Sequence, residues 1–488
     1  MKTEATSRGV GVRRHHRSLR TARLGVTLRA ASHAALLLMA FWVPLPFGSA
    51  RPWAWGLLAA MTGLIILLVG LSDLIDRGED ALPLKIVGIP TLLFEATILW
   101  AVFQSLPWAP AAWQHPLWQD AAALLPGQPM RPSISIDPSA SRTAILRLLT
   151  YAGIFWLAFR CSQHAGKARL LMTGIAGIGT AYSAWGLSVY WNGNHSVLWY
   201  DKWAYWADLT STFVNRNSFA TYAGLTVVTG IALLLDNILR GVDFQQPPRV
   251  IARSLIELLM TRSVWYVGCI AISATALLLT HSRGGMASTG VGVLALMVMI
   301  ALAPSLRGPW RAVFGIAVLV GAAAVLFVSG AATFARVADT TLDLEARPEI
   351  FSLTMKALGD RPLLGTGLGS FQTVFEAYRT PDLPFFVNAA HNDYLENMLE
   401  LGIPAALLLF GALLALFVMC VKGAIKRRRD AILPCIGVGV TALVAAHSLV
   451  DFSLQIPAVT ATYLMLLGAA VAQSIPSGAR IHPDDATS

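Results

Sequence analysis

Four residues in this chain have the type and setting for chemistry: Arg216 in FVNRNSF, Arg283 in LLTHSRGG, Arg347, and His391 at the head of HNDYLENMLELG. Each arginine stands at the margin of an apolar run or in a long polar interval. Guanidinium groups grip phosphate oxygens in bidentate pairs and keep their charge at any relevant pH, so together they read as an anion site. Taken singly, each can also snorkel to lipid headgroups or cap a helix end. Around Arg283, Ser282, Gly284 and Gly285 form a tight turn whose backbone N–H groups could approach the same anion.

His391 precedes a helical pattern: Leu395, Met398, Leu399 and Gly402 share one side, with Asn392, Glu396 and Glu400 on another. The positive end of a helix dipole disfavours imidazolium, and a neutral imidazole there could serve as a general base. The plainer alternative is a histidine that caps the helix. Upstream, GTGLG at 365–369 lacks a βαβ context and reads as a turn needing flexible backbone, not a dinucleotide fingerprint. Further on, HSLVDF carries His447 and Asp451. Structural hydrogen bonding is the main reading there, and orientation of a catalytic group the alternative. The sequence has no Asp-rich cluster, HExxH or GxSxG, so the chemistry expected is metal-independent, without a cofactor.

The elements that must position these residues are membrane helices. Of 488 residues, 55% are hydrophobic and only 13% charged, and the mean hydropathy is +0.60. Continuous apolar runs of span length exclude a β-barrel and predict an all-α integral membrane protein. Twelve spans are expected, near 28–46, 53–71, 86–104, 143–160, 169–190, 219–238, 264–281, 286–303, 312–331, 402–421, 431–449 and 456–474. The first could pass for a signal peptide cleaved near Gly48-Ser49-Ala50, but the spans that follow make it a first helix.

The net charge of +10 comes largely from the N-terminus and short loops, which reads as positive-inside orientation and not as nucleic-acid binding. The expected order is a basic cytoplasmic stretch 1–27, nine spans over 28–331 and a large periplasmic loop 332–401. Three spans over 402–474 and a cytoplasmic tail 475–488 complete it. Periplasmic loops 105–142 and 191–218 are crowded with aromatics, which suit the bilayer interface or the stacking of sugars. Cys161, Cys269, Cys420 and Cys435 show no CxxC pair and suggest neither disulfide nor zinc.

HNDYLENMLELGIP resembles the hallmark of the O-antigen ligase/polymerase superfamily of bacterial inner-membrane proteins. RPLLGTGLGSF, FVNRNSFATY and THSRGG resemble its other segments, in matching order across roughly 150–460. The resemblance implies a helical fold like the C-type glycosyltransferases and an inverting, metal-independent transfer on the periplasmic face. The donor would be a polyprenyl-diphosphate-linked glycan. The acceptor would be a glycan, a lipid A-core hydroxyl or, in some branches, a protein. It makes His391 the catalytic residue and Arg216, Arg283 and Arg347 the diphosphate ligands. Asn215, Asn217, Ser282, Asn392, Tyr394 and Glu400 are the expected supporting groups. The alternative function is a non-catalytic polysaccharide or lipid transporter, which should gather charges at mid-membrane, where Glu95 is the main one.

Overall fold

In lipid every backbone N–H and C=O needs an internal partner, and a helix supplies them within one segment. The computed structural model describes residues 5–75, 87–261, 263–306, 342–381, 383 and 385–475. The helices among them are α1 (Ala5–Trp42), α2 (Pro52–Ile75), α3 (Gly88–Ser105), α4 (Leu117–Leu124), α5 (Pro138–Cys161), α6 (Ala165–Trp191), α7 (Arg216–Gly241) and α8 (Pro248–Met260). They continue as α9 (Val264–Leu279), α10 (Arg283–Leu302), α11 (Leu342–Asp360), α12 (Phe371–Tyr378), α13 (Asp393–Leu401), α14 (Ile403–Lys426), α15 (Ile432–His447) and α16 (Pro457–Ser474). The strands described are β1 (Ser196–Val197) and β2 (Tyr200–Asp201), one antiparallel pair.

Among the described residues nine helices are long and apolar enough to cross a membrane, and α8 with α9, bent by 66°, make a tenth if taken as one broken span. α15, at 16 residues, is a shorter apolar helix. The protein is therefore an all-α polytopic membrane protein. The apolar run at 312–331 lies outside the described residues.

Burial ranks the helices. The spanning windows of α7 and α16 are 89% and 94% buried, against 28% for α2 and α14, so α7 and α16 form the centre of the bundle. Close approach between helices depends on small residues, because lipid supplies no hydrophobic drive for association. Where α10 crosses α15, a Cβ on Gly292 would stand 2.9 Å from the Gly439 carbonyl oxygen, and one on Gly439 3.1 Å from that of Gly292. No side chain fits between those backbones.

The two ends of the bundle differ. At one, Arg169 bridges Asp236 (2.6 Å) and Asp430 (3.0 Å), and Arg240 contacts the same two carboxylates. This ring ties α6 and α7 to the turn before α15. At the other end, α7 and α10 begin, α15 finishes and α13 sits across them. Gly439→Leu should force α10 and α15 apart at a cost of about 1–3 kcal/mol, typical of overpacking. A lower thermal unfolding midpoint of the detergent-solubilised protein is the expected readout, and an unchanged midpoint would refute the close crossing.

Candidate functional site

Three helix starts at that end share one local design. Asn215 caps α7, its side chain accepting from Asn217 N at 2.7 Å. Ser282 caps α10 through Gly285 N at 3.1 Å, and Asn392 caps α13 through Tyr394 N and Leu395 N, both at 3.0 Å. Arg216 and Arg283 are thus first-turn residues, and His391 lies just outside its helix. Because Asn392 does the capping, His391 is released from that duty. The histidine takes φ +53°, an uncommon conformation for a residue with a side chain.

The three starts are drawn together by close packing and hydrogen bonds. A Cβ on Gly285 of α10 would meet Ala220 Cβ of α7 at 2.4 Å, and one on Gly284 would meet Val450 at 3.0 Å and His447 at 3.6 Å. Asp393 N donates to Ser448 O at 2.9 Å, and Ser448 Oγ to Asp393 Oδ2 at 2.8 Å. These contacts fix the start of α13 on the segment that follows α15.

At their junction lies Asp451, its side chain only 3% exposed. His391 Nδ1 stands 3.4 Å from Oδ1, and Arg347 reaches Oδ2 at 3.6 Å while donating to Val450 O at 2.9 Å. Asn217, next to Arg216, donates to Asp451 as well. The His391 ring packs edge-on against Phe452, with centroids 4.9 Å apart. Burial pushes the Asp451 carboxyl up, but His391, His447 and Arg347 outweigh it and hold it below its ordinary value.

A second buried carboxylate, Asp208, sits beside the first group. It accepts from Arg216 at 2.7 Å and faces His281 Nδ1 at 2.8 Å. Burial raises it, yet its contacts with His281 and Arg216 leave it depressed. The Arg216 guanidinium also lies 5.4 Å over the Tyr205 ring. Lys202 holds the loop carrying Asp208: it is buried, and its ammonium donates to Asn194 Oδ1 (3.0 Å) and the Asp208 carbonyl (2.6 Å). Burial pushes Lys202 down to about 8. Arg216 and Asn217, adjacent in sequence, therefore join the Asp208 and Asp451 clusters.

The donors here are not used up. Among the described residues, buried Nε of Arg216 and Arg347 and Nε2 of His447 have no aligned hydrogen-bond partner. Such orphans are uncommon in native folds, and a group of them marks a place suited to an acceptor.

The expected supporting residues divide. Asn217 belongs to the Asp451 cluster, whereas Asn215, Ser282 and Asn392 act as caps. Tyr394 points away, its hydroxyl donating to Ala445 O at 3.0 Å and its ring against Phe410. Glu400 accepts from Gly369 N (2.7 Å) and Phe371 N (2.9 Å), which clamps the glycine turn. That turn needs its glycines: Gly367 has φ +104°, and a Cβ there would lie 2.1 Å from Ser135 Oγ. No βαβ unit surrounds it among the described residues.

Sequence reasoning passed over Asp208 and His281 and placed Glu396 on the polar side of its helix without a role. Glu396 accepts from Ala390 N at 2.7 Å and from Gln455 Nε2 at 2.6 Å, so it holds the backbone just before His391. Asp451, whose main reading from sequence is structural hydrogen bonding, faces His391. His447 instead meets Ser453 Oγ at 3.1 Å. Beside α13, a cavity of about 1310 Å³ runs between α3, α5, α14, α15 and α16. Arg147, Asp393, Tyr394, Glu396 and Glu400 line its polar end, and Glu95 lies among its apolar walls.

Burial raises all three α13 carboxyls, Asp393 to about 7, Glu400 to about 7, and Glu396 well above its ordinary value. A carboxyl raised in the fold contributes stability that is complete below its unfolded value and is lost as pH climbs through the folded one. Thermal stability should therefore decline from about pH 4 to about pH 7, and Asp393→Asn should reduce that slope. A slope identical to wild type would contradict the buried, protonated state.

No curated protein matches the chain. Residues 268–410 match the family model for O-antigen ligase. That interval includes Arg283, Arg347 and His391 and leaves out Arg216 and Asp451, which the fold brings to the same place. Over that interval the chain is similar to the O-antigen ligase family.

Proposed function

We propose that the protein is a periplasm-facing glycosyltransferase of the bacterial inner membrane. It moves a glycan from a polyprenyl-diphosphate donor to a sugar or lipid A-core hydroxyl. The observation that carries this reading is His391 set against buried Asp451, with Arg216, Arg283 and Arg347 at the same end of the bundle. The orientation rests on the charge at the opposite end, where Arg169, Arg240, Lys426 and Arg427 lie.

The chemistry needs a base for the acceptor and positive charge for the leaving group. With Nδ1 turned to Asp451, His391 has Nε2 for the acceptor hydroxyl. Nε2 takes the proton as the hydroxyl oxygen bonds to sugar C1. The bond from C1 to the diphosphate oxygen breaks on the opposite side, and its electron pair leaves with the diphosphate. The single displacement inverts C1. Charge then grows on phosphate oxygens, where fixed guanidinium groups and the positive ends of α7 and α10 stabilise it without reorganising. These arginines fill the role a divalent cation has in other transferases. The cavity beside α13 adds apolar wall in which a long isoprenoid chain fits.

In a deletion strain complemented with His391→Ala, activity should fall by about 10²–10⁴-fold, the usual contribution of a general base. Asp451→Asn should lower kcat with KM little changed, since Asp451 touches the histidine and not the substrate. Lipopolysaccharide, secreted polysaccharide and lipid-linked glycan are analysed together. Polymer stranded on the carrier with bare core lipid means ligase, and single repeats in place of polymer mean polymerase. Normal products from His391→Ala would overturn the catalytic reading in favour of transport.

A further inference from the structure

The helix α8 lies at the end of the bundle opposite His391 and has two unlike long faces. Ile251, Leu255, Leu258 and Leu259 pack against Ile238, Val242 and Phe244, at and just beyond the end of α7. A second stripe, spaced i, i+3, i+4, i+7 and i+11, carries Arg249, Ala252, Arg253, Ile256 and Met260 and borders an open concavity of about 700 Å³. Ile256 and Met260 are 64% and 74% exposed, and both arginines are exposed. The stripe is therefore cationic over its first turns and apolar over its last.

Its direction matters. The apolar end adjoins α9, whose first residues Val264 and Trp265 are each 55% exposed. The axis turns by 66° between α8 and α9. An exposed apolar surface that continues onto the apolar helix α9 suits contact with acyl chains, and arginines one to three turns further out suit headgroup level. We propose that this stripe binds an anionic phospholipid of the surrounding bilayer. The phosphate would sit on Arg249 and Arg253, one turn apart, and a chain would run along Ile256 and Met260 onto α9. Glu257 shares the face and selects against a second negative group close to the apolar half.

The site is separate from the His391 cluster, so its test is independent of the catalytic reading. Full-length protein is reconstituted in vesicles of phosphatidylcholine with a minority of phosphatidylglycerol, extracted in detergent at low salt, and its retained lipid is identified and quantified. Wild type should be enriched in phosphatidylglycerol over the bulk mixture. Each arginine near an anionic surface contributes about fivefold, so Arg249→Glu with Arg253→Glu should abolish the enrichment. Arg249→Lys with Arg253→Lys should keep most of it, and raised salt should weaken it.

Should charge reversal impair folding, Arg249→Gln with Arg253→Gln gives the same comparison with less repulsion. His391→Ala must retain the enrichment. Equal enrichment in wild type and both arginine-free variants would overturn the proposal. So would displacement of the lipid by a soluble acidic protein bound at the same stripe.

Discussion

The arrangement depends on a carboxylate that is almost removed from water. Burying Asp451 alone would cost several kcal/mol, and the fold tolerates it only with cations and donors brought to it. Those come from four directions: Arg347 on α11, His391 before α13, Asn217 on α7, and the Phe452 amide in its own turn. Satisfying one buried charge thus requires segments far apart in sequence to meet at one end of the bundle. The same requirement recurs at Asp208, between Arg216 and His281. Both carboxylates lie deeper than their cations, so positive charge faces outward.

α13 is the hub that makes the junction rigid. Its three buried carboxyls each bind a different part of the chain: Asp393 the 448–454 turn, Glu396 Ala390 and Gln455, Glu400 the glycine turn. A short helix of nine residues would be marginal alone. Here it is bonded on every side, and that bonding holds His391 in a left-handed conformation it would otherwise seldom adopt. Strain of this kind persists where the surroundings over-determine it. The raised carboxyls on α13 contrast with the depressed Asp451 nearby: burial raises all of them, donors offset it only in part on α13, and His391, His447 and Arg347 outweigh it at Asp451.

The bilayer explains the rest of the sequence economy. α7 and α16 at the centre are buried on nearly all sides, and α10 approaches α15 through Gly292 and Gly439. Peripheral helices such as α2 keep large apolar side chains facing outward. Exposed Trp53, Trp191, Trp199, Trp203 and Trp206 lie at the His391 end, where amphipathic rings suit an interface. α8 at the opposite end combines arginine with exposed apolar groups and meets the bilayer differently.

Much of this was legible in the residues. Apolar runs of span length without alternation leave helices as the stable answer in lipid, so the all-α membrane class followed from hydropathy alone. His391 and three arginines stood out because polar groups at helix mouths need a reason. The capping pattern of Asn215, Ser282 and Asn392 is local and could be read from spacing. What sequence could not supply was partnership across distance. HSLVDF has the look of an ordinary helix end, and Asp451 is set apart from other aspartates by residues 60, 104 and 234 positions away. Tyr394 and Glu400, close to the histidine in sequence, turn instead toward the cavity beside their helix. Helical geometry sends neighbours along the chain in different directions, while packing gathers strangers around one buried charge. Periodicity and composition decided what kind of protein this is, and tertiary structure decided which of its polar residues meet.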